Sequence, residues 1–466
     1  MDSMQLIGML LTLLAFVGIG FWSGKLVKTK DDFYVAGSSF GAFSVAGAAS
    51  GTYIGGGTVI GTAQLAFSDG FSALNFTIGC CASMLLTALV FSGKIRDSRC
   101  QTIQEMVLLE FGKTAGRLTI LLGVLALYIN NISHLFSGVS LISSVFPNFA
   151  TMTSVVITAV LIFACACLGG FWGMSIINVI KTTILLGTAV VAAVFIFIKT
   201  GHFSELVPQL PARFLTLFPR GAGTDLGNIM SVMLGIISSQ TTMQAIFCGR
   251  TNADCKKGFL MGALLLPVAG ICCGVIGAYM RTIAPEINAL QAFPMFVIMH
   301  THGLVSGIIL ATTLVAVASA GTSIMLSISG ILVNNVYLKL KPEASTRQQL
   351  NFSRLIMICC LCLSTFIISR GAGDGVMQYN FLSMGMRCTV LFFPMCVFLF
   401  AHGNVSRRCA IISIVAGPIS LLLGKFVIPL PFDCIFLGLA VCFVIMLLGY
   451  FDQRYILKKT GASVNE

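Results

Sequence analysis

Two basic residues, Lys181 and Arg387, lie inside long apolar stretches of the sequence, whereas all 16 acidic residues lie at the ends of such stretches or between them. A charge in apolar surroundings normally needs a partner. The planar guanidinium of Arg387 suits the binding of a carboxylate or a phosphate, and it can also donate to a group of backbone carbonyls. We therefore expect Arg387 to contact either an anionic substrate or backbone carbonyls, and both alternatives stay open.

Neutral polar residues in other apolar stretches form a second set that could do chemistry, namely hydrogen bonding to a small solute. Asn130 and Asn131 each share a helix face with His134, four and three residues later. A second polar run, Ser238–Gln244, interrupts another apolar stretch. The alternative interpretation is that these side chains bond to neighbouring helices.

The composition indicates which elements must position these residues. The chain has 466 residues, of which 57% are apolar and 9% are charged, and its mean hydropathy is +0.96. A soluble globular chain is about one quarter charged. We therefore predict an all-α integral membrane protein. An enzyme is not expected, because the sequence has no pair of acids in an apolar stretch, no HExxH motif and no phosphate-binding loop.

Polar breaks divide the sequence into about 13 candidate membrane spans of roughly the length that a bilayer requires. They are residues 4–24, 39–66, 71–93, 118–145, 151–169, 174–198, 228–247, 257–280, 303–336, 351–369, 377–400, 406–424 and 431–451. One set of alternate loops carries 20 Lys and Arg residues and the other set carries 6. Loops rich in Lys and Arg stay in the cytoplasm. We therefore expect a protein of the plasma membrane, with its N-terminus outside the cell and its C-terminus in the cytoplasm. This topology accounts for the net charge of +12 without a nucleic-acid partner.

Two of the predicted spans carry features that interrupt a helix. Span two contains a run of glycines within Ser50–Thr58, and span seven contains Ser238–Gln244. Glycine costs a helix about 1 kcal/mol relative to alanine. Five helices separate the start of one interrupted span from the start of the other, so the two spans cross in opposite directions. Paired broken helices in an inverted repeat indicate the binding site of a secondary transporter, although glycines also serve close helix packing.

Several motifs are similar, in their order and spacing, to those of a known family. They are Asp32–Gly41, Ala66–Gly70, Gly169–Lys181, Gln244–Arg250, Ala316–Ser323 and Asn335–Tyr337. Together they resemble the sodium:solute symporter family over about residues 5–400. The resemblance implies the leucine-transporter-type fold, with one helix before two inverted five-helix repeats and two helices after them. The expected units are residues 1–30 (first helix and cytoplasmic loop), 31–200 (first repeat), 201–402 (second repeat) and 403–466 (two helices and a short cytoplasmic tail).

The resemblance also implies a sodium site at the first broken helix. Its ligands would be the carbonyls of Gly51, Ile54 and Ala316 and two adjacent hydroxyls, of which Ser319 is present and the second is replaced by Ala320. Where the family commonly has Asp and, three residues later, Gln, this chain has Asn178 and Lys181. The family's usual glycine–arginine pair before span two is Gly37-Ser38 here. Thr322 and Ser323 could add hydroxyls to the cation site or to what remains of it.

Two interpretations of Lys181 stay open. Its ammonium could replace sodium beside Asn178 and the hydroxyls of Ser319, Thr322 and Ser323, and its protonation could then couple transport to protons. Alternatively, it could extend along its helix to the cytoplasmic surface, which is about 11 Å away at the rise of an α-helix. We predict weak or absent sodium dependence and no cofactor, with transport coupled to protons or to no ion. A sodium ion at Gly51, Ile54, Ala316 and Ser319 is the alternative.

The function expected from these observations is uptake of a small polar or anionic organic solute by alternating access. An ordinary sodium-coupled symporter is the alternative, and a transporter-like membrane sensor is a weaker one. The expected partners are the solute and the lipid bilayer, with no obligatory protein partner. By family analogy span four borders the cavity. The candidate substrate-binding residues are Thr52, Gln64, Phe67, Asn130, Asn131, His134, Ser239, Gln240, Thr241, Gln244 and Arg387.

Overall fold

The computed structural model describes residues 2–24, 38–370 and 375–460. In this part of the chain the secondary structure is helical, apart from one isolated β-bridge between Phe40 and Gly249. The α-helices are α1 (Ser3–Gly24), α2 (Ala42–Tyr53), α3 (Thr62–Asp69), α4 (Leu74–Leu86), α5 (Ser92–Asp97), α6 (Ile103–Val145), α7 (Thr151–Lys199), α8 (Ala222–Ile237), α9 (Gln240–Cys248), α10 (Asn252–Ile283), α11 (Ala292–His300), α12 (Gly303–Leu332), α13 (Leu338–Leu340), α14 (Thr346–Ser369), α15 (Val376–Arg387), α16 (Phe393–Phe400), α17 (Arg407–Phe426) and α18 (Cys434–Thr460). The π-helical segments are Gly56–Gly61, Thr87–Phe91, Val333–Tyr337 and Cys388–Phe392, and the 3₁₀ turns are Gly70–Ala73, Val207–Gln209, Ala212–Leu215 and Ala289–Gln291.

The outer surface of the bundle is apolar. Large aliphatic side chains such as Leu14, Val191 and Leu264 are more than 60% exposed. Ten helical runs among the described residues are long and apolar enough to cross a membrane, or eleven if the bent pair α8–α9 counts as one span. The all-α, multi-pass membrane class is therefore confirmed.

The predicted number of 13 spans stays a prediction. Predicted spans five and six lie within one helix, α7, which continues through Gly169 and Gly170. The apolar helical segments on either side of these glycines are Thr151–Ala166 and Gly173–Lys199, and the division into spans five and six stays a prediction. The expected domain boundary at residues 30–31 lies outside the described residues.

The first predicted break is confirmed within Ser50–Thr58. Helix α2 ends at Tyr53, the backbone turns away from helical geometry at Ile54 and Gly55, and the chain then resumes as the π-helical segment. The amide of Gly55 donates to the carbonyl of Tyr53 over 2.9 Å. The hydroxyl of Thr58 donates to the same carbonyl over 2.6 Å. These bonds satisfy part of the backbone that the break frees, as apolar surroundings require.

The second predicted break is also confirmed. Helices α8 and α9 meet at an angle of 49°, with Ser238 and Ser239 between them. The hydroxyl of Ser238 donates to the carbonyl of Leu234 over 2.8 Å, and the hydroxyl of Thr242 donates to the carbonyl of Ile236 over 2.6 Å. The carbonyls at the end of α8 thus accept hydrogen bonds from side-chain hydroxyls, which explains why the interruption is rich in Ser and Thr.

A backbone bridge joins the start of α2 to the end of α9. The amide of Phe40 donates to the carbonyl of Cys248 over 2.9 Å, and the amide of Arg250 donates to the carbonyl of Phe40 over 2.8 Å. The guanidinium of Arg96 donates to the carbonyls of Gly249 and Arg250 over 2.5 and 2.9 Å. The ends of the two broken helices are therefore fastened to each other by backbone and side-chain hydrogen bonds.

Helix α12 is the central element, since its residues from Ser306 to Ile331 are almost all buried. It packs against α1, α6 and α7. Glycines of the first broken helix allow a close approach to this centre. A Cβ at Gly51 would lie 2.5 Å from the Cβ of Asn178, and a Cβ at Gly55 would lie 3.0 Å from the carbonyl oxygen of Ala316.

We predict that Gly51→Ala destabilises the protein by about 1–3 kcal/mol, because the new methyl group overlaps the Asn178 side chain. Thermal unfolding in detergent should show a lower melting temperature. Gly187→Ala is the control, since nothing lies within 4 Å of a Cβ at that helical position. It should be neutral or stabilising by up to about 1 kcal/mol. Equal melting temperatures for the two variants would contradict the close packing of α2 on α7.

Candidate functional site

A narrow cavity of about 20 Å³ lies where the two breaks meet. Thr52, Tyr53 and Gly57 border it from the first break, and Thr241 borders it from the start of α9. The lining residues are Thr52, Tyr53, Gly57, Phe76, Asn130, His134, Thr241, Ile324, Asn380, Met384 and Arg387. Five of the predicted substrate contacts are thus together in one place: Thr52, Asn130, His134, Thr241 and Arg387. Their role in binding stays a prediction.

Arg387 is the charged group of this cavity, and its side chain is only 1% exposed. Its Nη1 donates to the hydroxyl of Ser239 over 2.8 Å, and its Nε donates weakly to the carbonyl of Ser383 over 3.4 Å. Its Nη2 is buried without a partner in the described part of the chain. None of the ion pairs between described residues includes Arg387. The guanidinium is therefore held in position by neutral groups, and one of its nitrogens is left over.

The neutral polar groups of the cavity are only partly satisfied. The Oδ1 atom of Asn130 and the Nδ1 atom of His134 have no hydrogen-bond partner among the described residues. The hydroxyl of Tyr53 shares hydrogen bonds with those of Thr241 and Thr242 over 3.3 and 3.2 Å. Buried polar atoms in native proteins are nearly always paired. Those of Asn130 and His134 are available to a bound solute.

Sequence reasoning missed five lining side chains, Tyr53, Phe76, Ile324, Asn380 and Met384, of which Tyr53 and Asn380 are polar. Tyr53 lies within the glycine run, so its position at the break could have been recognised. Asn380 lies seven residues before Arg387 and therefore on the same face of α15. Its amide donates to the hydroxyl of Ser133 over 2.8 Å. Phe76 and Met384 offered no such signal, because apolar residues on apolar helices do not reveal which face is turned inward.

Three predicted contacts are engaged elsewhere, and the expectation that they line this cavity is wrong for this structure. Asn131 donates to Ser364 over 3.3 Å, Gln240 donates to the carbonyl of Gln101 over 2.9 Å, and Gln244 accepts from Ser327 over 2.9 Å. Asn131 and Gln240 are each next to a lining residue, and one residue along a helix rotates a side chain by about 100°. That rotation turns them toward neighbouring helices.

Three further predicted contacts lie outside the lining of the cavity. Ser239 acts indirectly, because its hydroxyl holds Arg387. Phe67 is buried, with the guanidinium of Arg281 5.3 Å from its ring centre. Gln64 is half-buried, and its Oε1 has no partner in the described part of the chain. Whether Gln64 and Phe67 contact the solute stays a prediction.

A second polar group, which we call the lysine site, comprises Lys181, Asn178, Gly51, Ala316 and Ser319. The Nζ atom of Lys181 is 2.5 Å from the hydroxyl oxygen of Ser319 and 3.4 Å from the carbonyl oxygen of Ala316. Lys181 is fully buried, which contradicts the alternative that it extends to the surface. The close approaches of Gly51 and Gly55 place the first break against the same part of α7 and α12.

The hydroxyls expected around Lys181 are only partly arranged as predicted. Ser319 faces the ammonium, but Thr322 donates to the carbonyl of Ile162 over 3.0 Å. Ser323 donates to the sulfur of Met174 over 2.6 Å and to the carbonyl of Ser319 over 3.0 Å. Lys181 is thus directed toward one of the three hydroxyls, because the other two occupy different faces of α12.

The lysine site is a poor fit for sodium while Lys181 is charged. The oxygens of Ala316 and Ser319, which the family resemblance assigns to the ion, are in contact with the ammonium. The Ala320 methyl carbon lies against Gly55, at 3.2 Å from the position of a Cβ there. Asn178 brings an amide without charge, and both of its polar atoms lack a partner among the described residues. A hard cation needs several converging oxygens, and here the lysine already uses two of them.

Solved structures with the same fold transport or bind small solutes and ions. A substrate-bound, outward-open Na+-coupled sialic acid symporter is 16% identical, with a TM-score of 0.81 over 97% of this chain and 98% of that one. MhsT in complex with L-phenylalanine is 12% identical, with a TM-score of 0.54 over 86% and 98%. A mutant of the Eremococcus coleocola manganese transporter is 14% identical, with a TM-score of 0.51 over 93% and 97%. At these identities the likeness shows a shared fold.

A multi-pass helical bundle with two broken helices around a buried polar cavity is the architecture of secondary transporters. More particularly, the chain belongs to the sodium:solute symporter family, whose family model matches residues 33–417. The resemblance seen in the sequence motifs is confirmed. Motif residues 32–37, including Gly37 of the altered glycine–arginine pair, lie outside the described residues.

We predict that Ser319→Ala destabilises the protein more than Ser323→Ala does. Removing the Ser319 hydroxyl takes a partner from a buried ammonium, which costs about 1–3 kcal/mol, whereas Ser323 donates to a thioether and a carbonyl. Melting temperatures in detergent measure the difference. Adding Lys181→Met to Ser319→Ala should recover much of the loss, because no charge is then left without its partner. Equal losses in the two serine variants, or no recovery in the double variant, would contradict this role of Ser319.

Proposed function

We propose that this protein imports a small polar or anionic organic solute by alternating access, with Lys181 in the place where relatives bind a coupling sodium ion. The observation that carries the proposal is the contact of the Lys181 ammonium with the Ser319 hydroxyl and the Ala316 carbonyl. These oxygens belong to the helix that packs against the first break. The cavity beside both breaks is the proposed solute site.

Electrostatics support a weakened sodium site. At about 5 Å and an effective dielectric constant of about 20, two like unit charges repel by roughly 3 kcal/mol. This is enough to weaken sodium binding by more than about a hundredfold. The missing second hydroxyl at Ala320 and the uncharged Asn178 act in the same direction. Coupling is therefore proposed to use protons, through Lys181, or no ion at all.

Ordinary sodium symport is the second candidate. The family itself favours it, together with the fold shared with a Na+-coupled sialic acid symporter. A conformation in which Lys181 leaves Ser319 would free the oxygens of the site. The two candidates differ in a measurable way, because only the second predicts that sodium stabilises the unmodified protein.

The proposed architecture comprises 13 spans in the plasma membrane, with inverted repeats at residues 31–200 and 201–402 and two spans in 403–466. The pairing of the two broken helices supports the repeat. The excess of basic residues in alternate loops supports an external N-terminus and a cytoplasmic C-terminus. The bridge between Phe40 and Arg250 then lies toward the cytoplasmic side.

We predict that sodium chloride and potassium chloride at equal concentration give the unmodified protein the same melting temperature, whereas sodium raises that of Lys181→Gln. A ligand that binds the folded state stabilises it by RT ln(1 + [L]/Kd). Lys199→Gln is the matched control, because it removes an exposed lysine from the same helix. Uptake into proteoliposomes with sodium and proton gradients imposed separately extends the test to transport. Steep sodium dependence that Lys181→Gln leaves unaltered would refute the proposed replacement of sodium by lysine.

A further inference from the structure

The buried charges of the transporter are strongly unbalanced around the candidate solute cavity. No aspartate or glutamate lines the cavity, and the described ion pairs involve neither Lys181 nor Arg387. The buried Asp225 is engaged elsewhere, with Asn75, Ser72 and Arg220. A buried positive charge without a counter-ion is costly. Lys181 in the lysine site and Arg387 in the cavity differ in how many of their donors have a hydrogen-bond partner.

Lys181 has both a hydroxyl and a carbonyl oxygen as partners, whereas Arg387 is left with a free donor. Two of its nitrogens, Nη1 and Nε, are fixed by Ser239 and Ser383, and this holds the guanidinium plane in a set orientation. The third nitrogen, Nη2, is buried and has no partner among the described residues. A fixed guanidinium with a free nitrogen is suited to a carboxylate, which it can bind with little loss of conformational freedom.

The other groups of the cavity suit the rest of such a solute. Asn130 and His134 each have a buried polar atom without a partner, and each side chain can pair with a hydroxyl group. Phe76, Ile324 and Met384 provide apolar walls. A solute with a carboxylate, a short carbon chain and a hydroxyl would satisfy all of these groups.

We propose that the transported solute is a small hydroxycarboxylate anion, with its carboxylate bound to Arg387 and its hydroxyl bound to Asn130 and His134. This inference rests on the proposed transport function and specifies its substrate class. An amino acid fits less well, because its ammonium would meet a cavity that contains a guanidinium and no acid. Phosphate fits less well, because it carries more negative charge than a carboxylate and the cavity offers it a single cation, Arg387.

The test is a thermal-shift measurement on the purified full-length protein with matched ligands. Lactate, alanine and lactamide have nearly the same shape but differ in charge. Lactate is an anion, alanine is a zwitterion with an ammonium group, and lactamide is uncharged. Glycolate, glycerate and gluconate extend the hydroxycarboxylate set, and phosphate and sulfate are added as inorganic anions. All anions are supplied as potassium salts. We expect one or more hydroxycarboxylates to raise the melting temperature, and their amides to have no effect.

Variants then assign the binding to Arg387. Arg387→Gln should abolish the shift, and Arg387→Lys should weaken binding about tenfold to a hundredfold, because lysine keeps the charge but loses the fork. Ser239→Ala keeps Arg387 but removes the partner of Nη1, so it should weaken binding by a smaller factor. Arg370→Gln, which removes an exposed arginine, should leave binding unchanged. Far-ultraviolet circular dichroism and gel filtration identify any variant that does not fold, and Ser239→Ala preserves the test if Arg387→Gln fails to fold.

Several outcomes would overturn the proposal. They are stabilisation by alanine or lactamide equal to that by lactate, stabilisation by phosphate or sulfate alone, a panel in which no hydroxycarboxylate stabilises, and binding that survives in Arg387→Gln. Proteoliposome uptake separates this inference from the proposed function. An anion that binds through Arg387 but is never transported would refute transport and leave the binding site intact. A neutral solute that is transported would refute the substrate class and leave transport intact.

Discussion

The contact between the ammonium of Lys181 and the oxygens of Ser319 and Ala316 determines how the centre of this protein can be built. A buried charge must be surrounded by oxygens, and these oxygens come from α12, whose residues from Ser306 to Ile331 are almost all buried. The first broken helix can pack over this contact only because Gly51 and Gly55 lack side chains. The break, the lysine and the central helix therefore form one unit, and a change in any of them disturbs the other two.

Much of this arrangement could be predicted from the sequence, because its signals are local. A glycine run costs helical stability wherever it occurs, so the break at Ile54 and Gly55 was predictable. Hydroxyls clustered in an apolar stretch indicated the second break for a similar reason. Lys181 and Arg387 were recognised as candidates for a functional role because charges without acidic partners are rare in such surroundings, and a structural role stayed open for both. These inferences needed no knowledge of how the helices pack.

The choice among neighbouring residues could not be made in this way. Asn130 lines the cavity and Asn131 bonds to Ser364, although both are asparagines on the same helix. Thr241 lines the cavity, and Gln240 bonds to the carbonyl of Gln101. Their directions depend on the rotation of each helix about its axis, which tertiary packing sets. In a soluble protein the alternation of apolar and polar residues reveals which side of a helix faces inward. Helices that are apolar on every side lack this alternation.

The proposed replacement of sodium by Lys181 has a consequence for the energetics of the transport cycle. A sodium ion crosses the membrane once per cycle and is released, whereas the charge of Lys181 returns with the protein. An anionic solute carried alone moves negative charge, and a membrane potential of 100 mV, negative inside, opposes its entry by about 2.3 kcal/mol per charge. Such a carrier would equilibrate its solute about fifty-fold in favour of the outside. If one proton accompanies each anion, no net charge moves, and a pH difference that is acidic outside drives accumulation. Uptake by the uncoupled carrier therefore depends on the membrane voltage, whereas uptake by the carrier coupled to one proton does not.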